Sequence, residues 1–159
     1  MTESKLGNQT QTSIQGRELT VTRLFQSPRE LVFRLWTDPQ HLPQWWGPRG
    51  FTITTQEIDV KPGGVWRFVM HGPDGVDYDN KIEYLEVVRP ERIAYAHGDG
   101  EEEIFRVTVT FADRGGKTEL TMRSLFKSAE ELEKVVKESG AVEGVKQTLD
   151  RLEEQLAQL

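Results

Sequence analysis

Trp45-Trp46-Gly47-Pro48 is the stretch that decides how the rest of the chain is read. Two large indoles run straight into a Gly-Pro turn, so they need an apolar surface to lie against, most simply the mouth of a cavity. The period of the sequence also changes here. Upstream, Ser27-Pro28-Arg29-Glu30 carries a capping-box pattern: Ser27 at the N-cap, proline where a missing N–H costs nothing, and a glutamate placed to reach back. The spacing predicts a helix burying Leu31, Val32, Leu35 and Trp36. Asp38-Pro39 repeats the cap-then-proline signal for a second short helix that ends before the Trp pair. Further back, Leu19 to Phe25 has the Thr and Val content of a strand, and ordered structure is expected from about Glu18.

Downstream of Phe51 the alternation is that of strands. Turn signals recur at Lys61-Pro62-Gly63-Gly64, Gly72-Pro73-Asp74-Gly75, Arg89-Pro90-Glu91, Gly98-Asp99-Gly100 and Arg114-Gly115-Gly116, which predicts an antiparallel meander. Trp66, Phe68 and Met70 alternate with Val65, Arg67 and Val69. Phe105, Val107, Val109 and Phe111 repeat the pattern, as do Leu120, Met122 and Phe126, so one face of the sheet is apolar and needs a cover. The C-terminal segment supplies it. A second capping box, Ser128-Ala129-Glu130-Glu131, precedes Leu132, Val135, Val136, Val142, Val145, Leu149, Leu152 and Leu156 at spacings of three and four, a long amphipathic helix. Gly140 and Gly144 inside it predict either a break near Ser139 or a face pressed closely against the sheet.

At 159 residues with 36% hydrophobic content, the chain can bury one core, and residues 18–159 are read as one domain behind a disordered polar leader at 1–17. The leader has no apolar core of a secretory signal, and Asn8-Gln9-Thr10 is read as a chance match to the glycosylation tripeptide. Charges interrupt every hydrophobic run short of a membrane span, so no membrane partner is expected. The absence of cysteine removes disulfides and thiolate chemistry and suits the cytoplasm. A net charge of −6 gives no long-range attraction to phosphate backbones, so nucleic acid is not an expected partner.

The whole order is strand, two helices, six or so strands and a long terminal helix. Together with Trp45-Trp46-Gly47-Pro48, Asp59 ahead of Pro62-Gly63-Gly64-Val65-Trp66-Arg67-Phe68, and Tyr84-Leu85-Glu86-Val87 before Arg89-Pro90-Glu91-Arg92-Ile93, it resembles the SRPBCC or START-like helix-grip superfamily. Within it the chain is most similar to the branch of the C-terminal domain of activators of the heat-shock protein 90 ATPase. The resemblance implies an α+β helix-grip fold: a curved antiparallel sheet of about six or seven strands wrapped around the terminal helix, with two short helices after the first strand. It also implies an apolar cavity between sheet and helix, used by different members for lipids, polyketides or hormones. Val145 stands where an aromatic often follows the family's glycine, a change that enlarges the cavity or shifts its lining.

The candidate ligand-binding residues are Trp36, Trp46, Phe51, Trp66, Phe68, Met70, Tyr84, Tyr95, His97, Phe105, Met122 and Leu149, with Trp46 at the mouth and Tyr84, Tyr95 and His97 as polar handles. Each of these aromatics also fits ordinary core packing, and the periodicity suits a filled core as well as a hollow one. His71, Asp74, Asp77 and Asp79 lack calcium-loop spacing, and Pro73-Asp74-Gly75 reads as a hairpin turn, so no metal is assigned. Nucleophile elbow, zinc-protease, phosphate-loop and dinucleotide motifs are missing, and no cofactor is called for. Asp59, Arg67, Tyr84, Glu86 and His97 are scattered groups with no pair fixed by spacing. The leading expectation is a non-catalytic binder of a small hydrophobic or aromatic molecule, lipid- or polyketide-like, acting as monomer or homodimer. The alternatives are a module that docks on a chaperone, with a role in a stress response, and a cyclase, lyase or hydrolase using the same pocket.

Overall fold

The computed structural model describes residues 10–159. Its strands are β1 (Gln11–Gln15), β2 (Glu18–Phe25), β3 (Thr52–Ile58), β4 (Val65–His71), β5 (Asp77–Val88), β6 (Arg92–Gly98), β7 (Glu103–Arg114) and β8 (Lys117–Phe126). They form one antiparallel sheet in the order β1-β2-β8-β7-β6-β5-β4-β3. Helices α1 (Arg29–Thr37) and α2 (Leu42–Trp45) follow β2, and α3 (Ala129–Ser139) and α4 (Ala141–Ala157) close the chain. This is the α+β helix-grip arrangement. The five predicted turns each lie between consecutive strands. Extra residues at Gln56 of β3, Leu85 of β5 and Ile104 of β7 interrupt the ladders, and such bulges bend a strand and increase its twist.

Three local expectations are corrected. The strand count is eight, because part of the expected leader forms β1, paired from Gln11↔Thr22 to Gln15↔Glu18. All five β1 residues are exposed, so backbone pairing alone holds the strand and no apolar alternation announces it. The first nine residues, with Asn8 and Gln9, lie outside the described residues. Helix α1 is not capped by Ser27. Pro28 occupies the N-cap with extended backbone and no side-chain cap, while the Ser27 carbonyl accepts from Thr118 Oγ1 at 2.7 Å. Asp38 likewise caps no helix directly: its carboxylate accepts from the Gln40 amide at 2.8 Å, and α2 starts later, after His41.

The break in the terminal helix lies at Gly140, with φ 61° and ψ 40°. Ser128 caps α3 as its sequence predicts, accepting from the Glu131 amide at 3.1 Å. A Cβ built on Gly140 would meet nothing within 4 Å, so the requirement for glycine is purely conformational. Gly140→Ala is therefore expected to destabilise the protein by about 1 kcal/mol, the left-handed cost less a smaller gain from a stiffer unfolded chain. A urea midpoint unchanged by the substitution would contradict this reading.

Helix α4 is fastened to the rest of the molecule on two sides. On one, Arg23, an inward-facing residue of β2 that is only 5% exposed, donates to Asp150 Oδ1 at 2.6 Å and Glu153 Oε1 at 2.7 Å. On the other, Arg151 Nη1 donates to the carbonyls of Trp46, Gly47 and Pro48, and Nη2 to that of Gln44. Arg49 pairs with Glu154, and the Gln147 amide oxygen accepts from the Arg49 N–H. The Trp-Trp-Gly-Pro turn is thus tied to α4 by its own carbonyls. Gly47 has φ 95°, and a Cβ there would come within 2.8 Å of Met70 Cε, so glycine serves both the turn and the close approach of β4.

Candidate functional site

Inward-facing residues of the sheet form lateral rows. One row runs Tyr84, Tyr95, Val107, Ser124, Leu19, each paired with the next across β5, β6, β7, β8 and β2. Its neighbour runs Ile82, His97, Phe105, Phe126. Toward the β3 side the floor is filled. Trp66 stacks on Phe68 with centroids 4.0 Å apart, and Trp46 meets Trp66 edge-on at 5.3 Å. Trp36 packs edge-on against Trp45 at 5.0 Å and Trp46 at 5.6 Å, and Trp45 Nε1 donates to the Leu35 carbonyl at 3.1 Å. These contacts anchor the Trp pair.

The other half of the floor is not filled. Leu149, Leu152 and Leu156 of α4 are buried, whereas Ala141, Val142, Val145 and Thr148 in its first half are only half-buried. Small residues at the start of the helix leave a cavity of about 220 Å³ between α4 and the sheet. Val135, Ala141, Val145, Thr148 and Leu149 roof it. Trp36, Trp46, Gly47, Pro48 and Met70 form one wall, and Tyr95, His97, Phe105, Val107, Met122, Ser124, Phe126, Leu19 and Val21 form the floor.

Eight of the twelve sequence-expected residues border this space: Trp36, Trp46, Met70, Tyr95, His97, Phe105, Met122 and Leu149. The other four do not. Trp66 and Phe68 are covered by each other and by Trp46. Tyr84 sits one strand too far along its row, its ring edge-on to Tyr95 at 6.3 Å. Phe51 lies outside the Trp turn, 6.2 Å from the Tyr78 ring. Sequence reasoning missed Ser124, Phe126, Pro48 and the small roof residues; the departure at Val145 was the one available signal for the roof.

The lining is electrically neutral. Among the described residues no Asp, Glu, Lys or Arg borders the cavity, and Arg23 and Arg151 point their guanidinium groups at other partners. Burial lowers the His97 pKa to about 4, and burial pushes the Tyr84 and Tyr95 phenols well above their usual range, with Tyr84 adding to the effect at Tyr95. All three are uncharged at neutral pH. Asn80 Nδ2 donates to the Tyr78 carbonyl at 3.1 Å, which turns the Asn80 oxygen toward His97 Nε2 at 2.9 Å. That arrangement assigns the proton to Nε2 and leaves Nδ1 as an acceptor. The Tyr95 and Ser124 hydroxyls have no hydrogen-bond partner among the described residues, although Tyr95 is 2% and Ser124 8% exposed. Ser124 and His97 share no hydrogen bond, so the described residues contain no nucleophile–base pair in the cavity.

The remaining polar candidates lie elsewhere. His71 bridges Thr54 Oγ1 at 2.7 Å and Asp77 Oδ1 at 2.8 Å on exposed strand ends, and no cluster of potential metal ligands occurs among the described residues. Arg67 faces Glu57, Glu86 faces Arg92, and Asp59 faces Lys61, all as exposed ion pairs. No helix of the described residues is long and apolar enough to cross a membrane.

With the geometry in place, comparison with known proteins gives a consistent result. The family model described as Activator of Hsp90 ATPase homolog 1-like protein matches residues 26–157. A crystal structure from Mycobacterium smegmatis is 26% identical, with a TM-score of 0.84 over 94% of this chain and 97% of that one. One from Rhodobacter sphaeroides is 25% identical, with a TM-score of 0.81 over 95% and 99%. The structure of a protein from Silicibacter pomeroyi, itself described as AHSA1, is 22% identical, with a TM-score of 0.71 over 88% and 97%, and shows the fold alone. No protein of curated function matches the sequence.

Proposed function

The chain belongs to the Activator of Hsp90 ATPase homolog 1-like family of helix-grip proteins, and from that premise we propose that it binds a small apolar or aromatic molecule without transforming it. The observation that carries this reading is the apolar space of about 220 Å³ under the first half of α4, in a molecule whose core is otherwise closely packed. Its size narrows the expectation from sequence. An apolar cavity of about 150 Å³ takes one benzene, so this one suits a single substituted ring or a short chain and is too small for a long-chain lipid or a multi-ring polyketide.

Thermal denaturation in the presence of ethylbenzene, as a hydrocarbon probe, tests the proposal. At about 100 times its dissociation constant a ligand adds about 2.7 kcal/mol of stability. Val145→Phe places a ring where the roof is thin. It is expected to raise the stability of the free protein by about 1 kcal/mol and to abolish the ethylbenzene response. A stabilisation by ethylbenzene that survives Val145→Phe would place the ligand elsewhere, and no stabilisation of the unaltered protein by ethylbenzene or by its 4-hydroxy counterpart would refute the binding role. The family description also supports docking on a chaperone of the heat-shock protein 90 type. Raised ATP turnover on mixing with that chaperone would favour it, and unchanged turnover would dismiss it.

A further inference from the structure

The cavity is apolar but not featureless, and the chemistry of its few polar groups points to a ligand class. Tyr95 and His97 are two apart on the inner face of β6, with ring centroids 6.4 Å apart. The phenol of Tyr95 is a donor with no partner among the described residues, and it is nine-tenths buried at the cavity wall. The residue borders the open space of the cavity, so its hydroxyl is a donor that an acceptor on a ligand there can meet. His97 offers the complement. Its Nε2–H is engaged by Asn80, so Nδ1 is a bare acceptor. Ser124, across Val107 in the row of Tyr95, adds a second unpaired hydroxyl.

Resting on the binding role above, we propose that the cavity selects a neutral single-ring molecule bearing a hydroxyl, of the phenol class, over both its hydrocarbon and its carboxylate counterparts. One ligand hydroxyl supplies both functions that this pair calls for, accepting from the Tyr95 phenol and donating to His97 Nδ1. The ring lies among Trp36, Trp46, Met70 and Phe105. Among the described residues, a carboxylate would find no cation on the lining to receive it, and an ammonium no carboxylate.

The test is a matched series, 4-ethylphenol, ethylbenzene and 4-ethylbenzoate, titrated by calorimetry into the unaltered protein at neutral pH. Binding of 4-ethylphenol is expected to be about tenfold tighter than that of ethylbenzene, and 4-ethylbenzoate at least about tenfold weaker than ethylbenzene. Tyr95→Phe removes one oxygen at constant shape and is expected to bring 4-ethylphenol close to ethylbenzene without weakening ethylbenzene itself; its melting curve reports that it folds. If ethylbenzene binds as tightly as 4-ethylphenol, or the benzoate binds best, the phenol preference is overturned while the binding role stands. If no member binds, both are overturned.

Discussion

Asp150→Asn combined with Glu153→Gln is expected to lower the folding free energy by about 3 kcal/mol, whereas Arg23→Met should cost about 1 kcal/mol or less. The asymmetry follows from where the charges sit. The Arg23 side chain is 6% exposed, while those of Asp150 and Glu153 are 46% and 43% exposed. Neutralising the carboxylates leaves a buried guanidinium without a counter-charge, its hydrogen bonds going only to neutral acceptors such as Thr10 Oγ1, while its Nε already lacks a partner among the described residues. Removing the arginine instead leaves two carboxylates that water can reach, and a methionine of similar length fills the slot between β2 and α4 with apolar surface. Partial exposure of the acids sets the first figure toward the low end of the range for broken buried pairs. Urea unfolding of the two variants measures the contrast. Equal losses would show that the clamp works by packing and not by charge.

Acidification from pH 7 to pH 4 is expected to remove about 2 kcal/mol through His97, a figure held down by its being only half-buried. Burial holds its folded pKa at about 4, against an ordinary value near 6.5. Between these values the unfolded chain binds a proton that the folded protein refuses, so stability rises with pH across the window. The contribution is fully present above about pH 6.5, is lost as pH falls, and changes no further once the folded imidazole also protonates. Asp99, Glu103 and Glu154 are held below the usual carboxylate range by a backbone turn, by Arg106 and by Arg49, and they push in the same direction at lower pH. The difference between the unaltered protein and His97→Gln isolates the histidine. Parallel stability curves for the two between pH 6.5 and pH 4 would rule out a buried neutral His97.

The contrast between what the sequence disclosed and what it concealed has physical causes. Alternation identified the inward face of β4, β7 and β8 because residues pointing into a core repeat every second position. The fold followed from one apolar face needing one amphipathic cover. The same alternation assigns Trp66 and Tyr95 identically, yet one lies beneath Trp46 and the other beside open space. Which of the two is buried against side chains depends on the elements above it, and that is tertiary information. Gly140 was legible as a break because its conformation is a local property. The Ser27 pattern shows neither that Pro28 takes the N-cap nor that the Ser27 carbonyl accepts from Thr118, 91 residues away. Strand β1 carries no readable period because four exposed polar residues surround a single, equally exposed Ile14. Val145 was the best pointer to the hollow roof, since a missing aromatic is volume withheld from the interior.

The fastening of the Trp-Trp-Gly-Pro turn to α4 through Arg151 has a consequence for traffic into the chamber. Four main-chain oxygens converge on one guanidinium, so that lip behaves as a fixed jamb. The opposite side is hung differently: α3 buries a single residue, Leu132, and joins α4 at one left-handed glycine. In the proposed binding role the indole side is thus the braced rim of the chamber, and the α3 side, joined to α4 through Gly140, is the less constrained one.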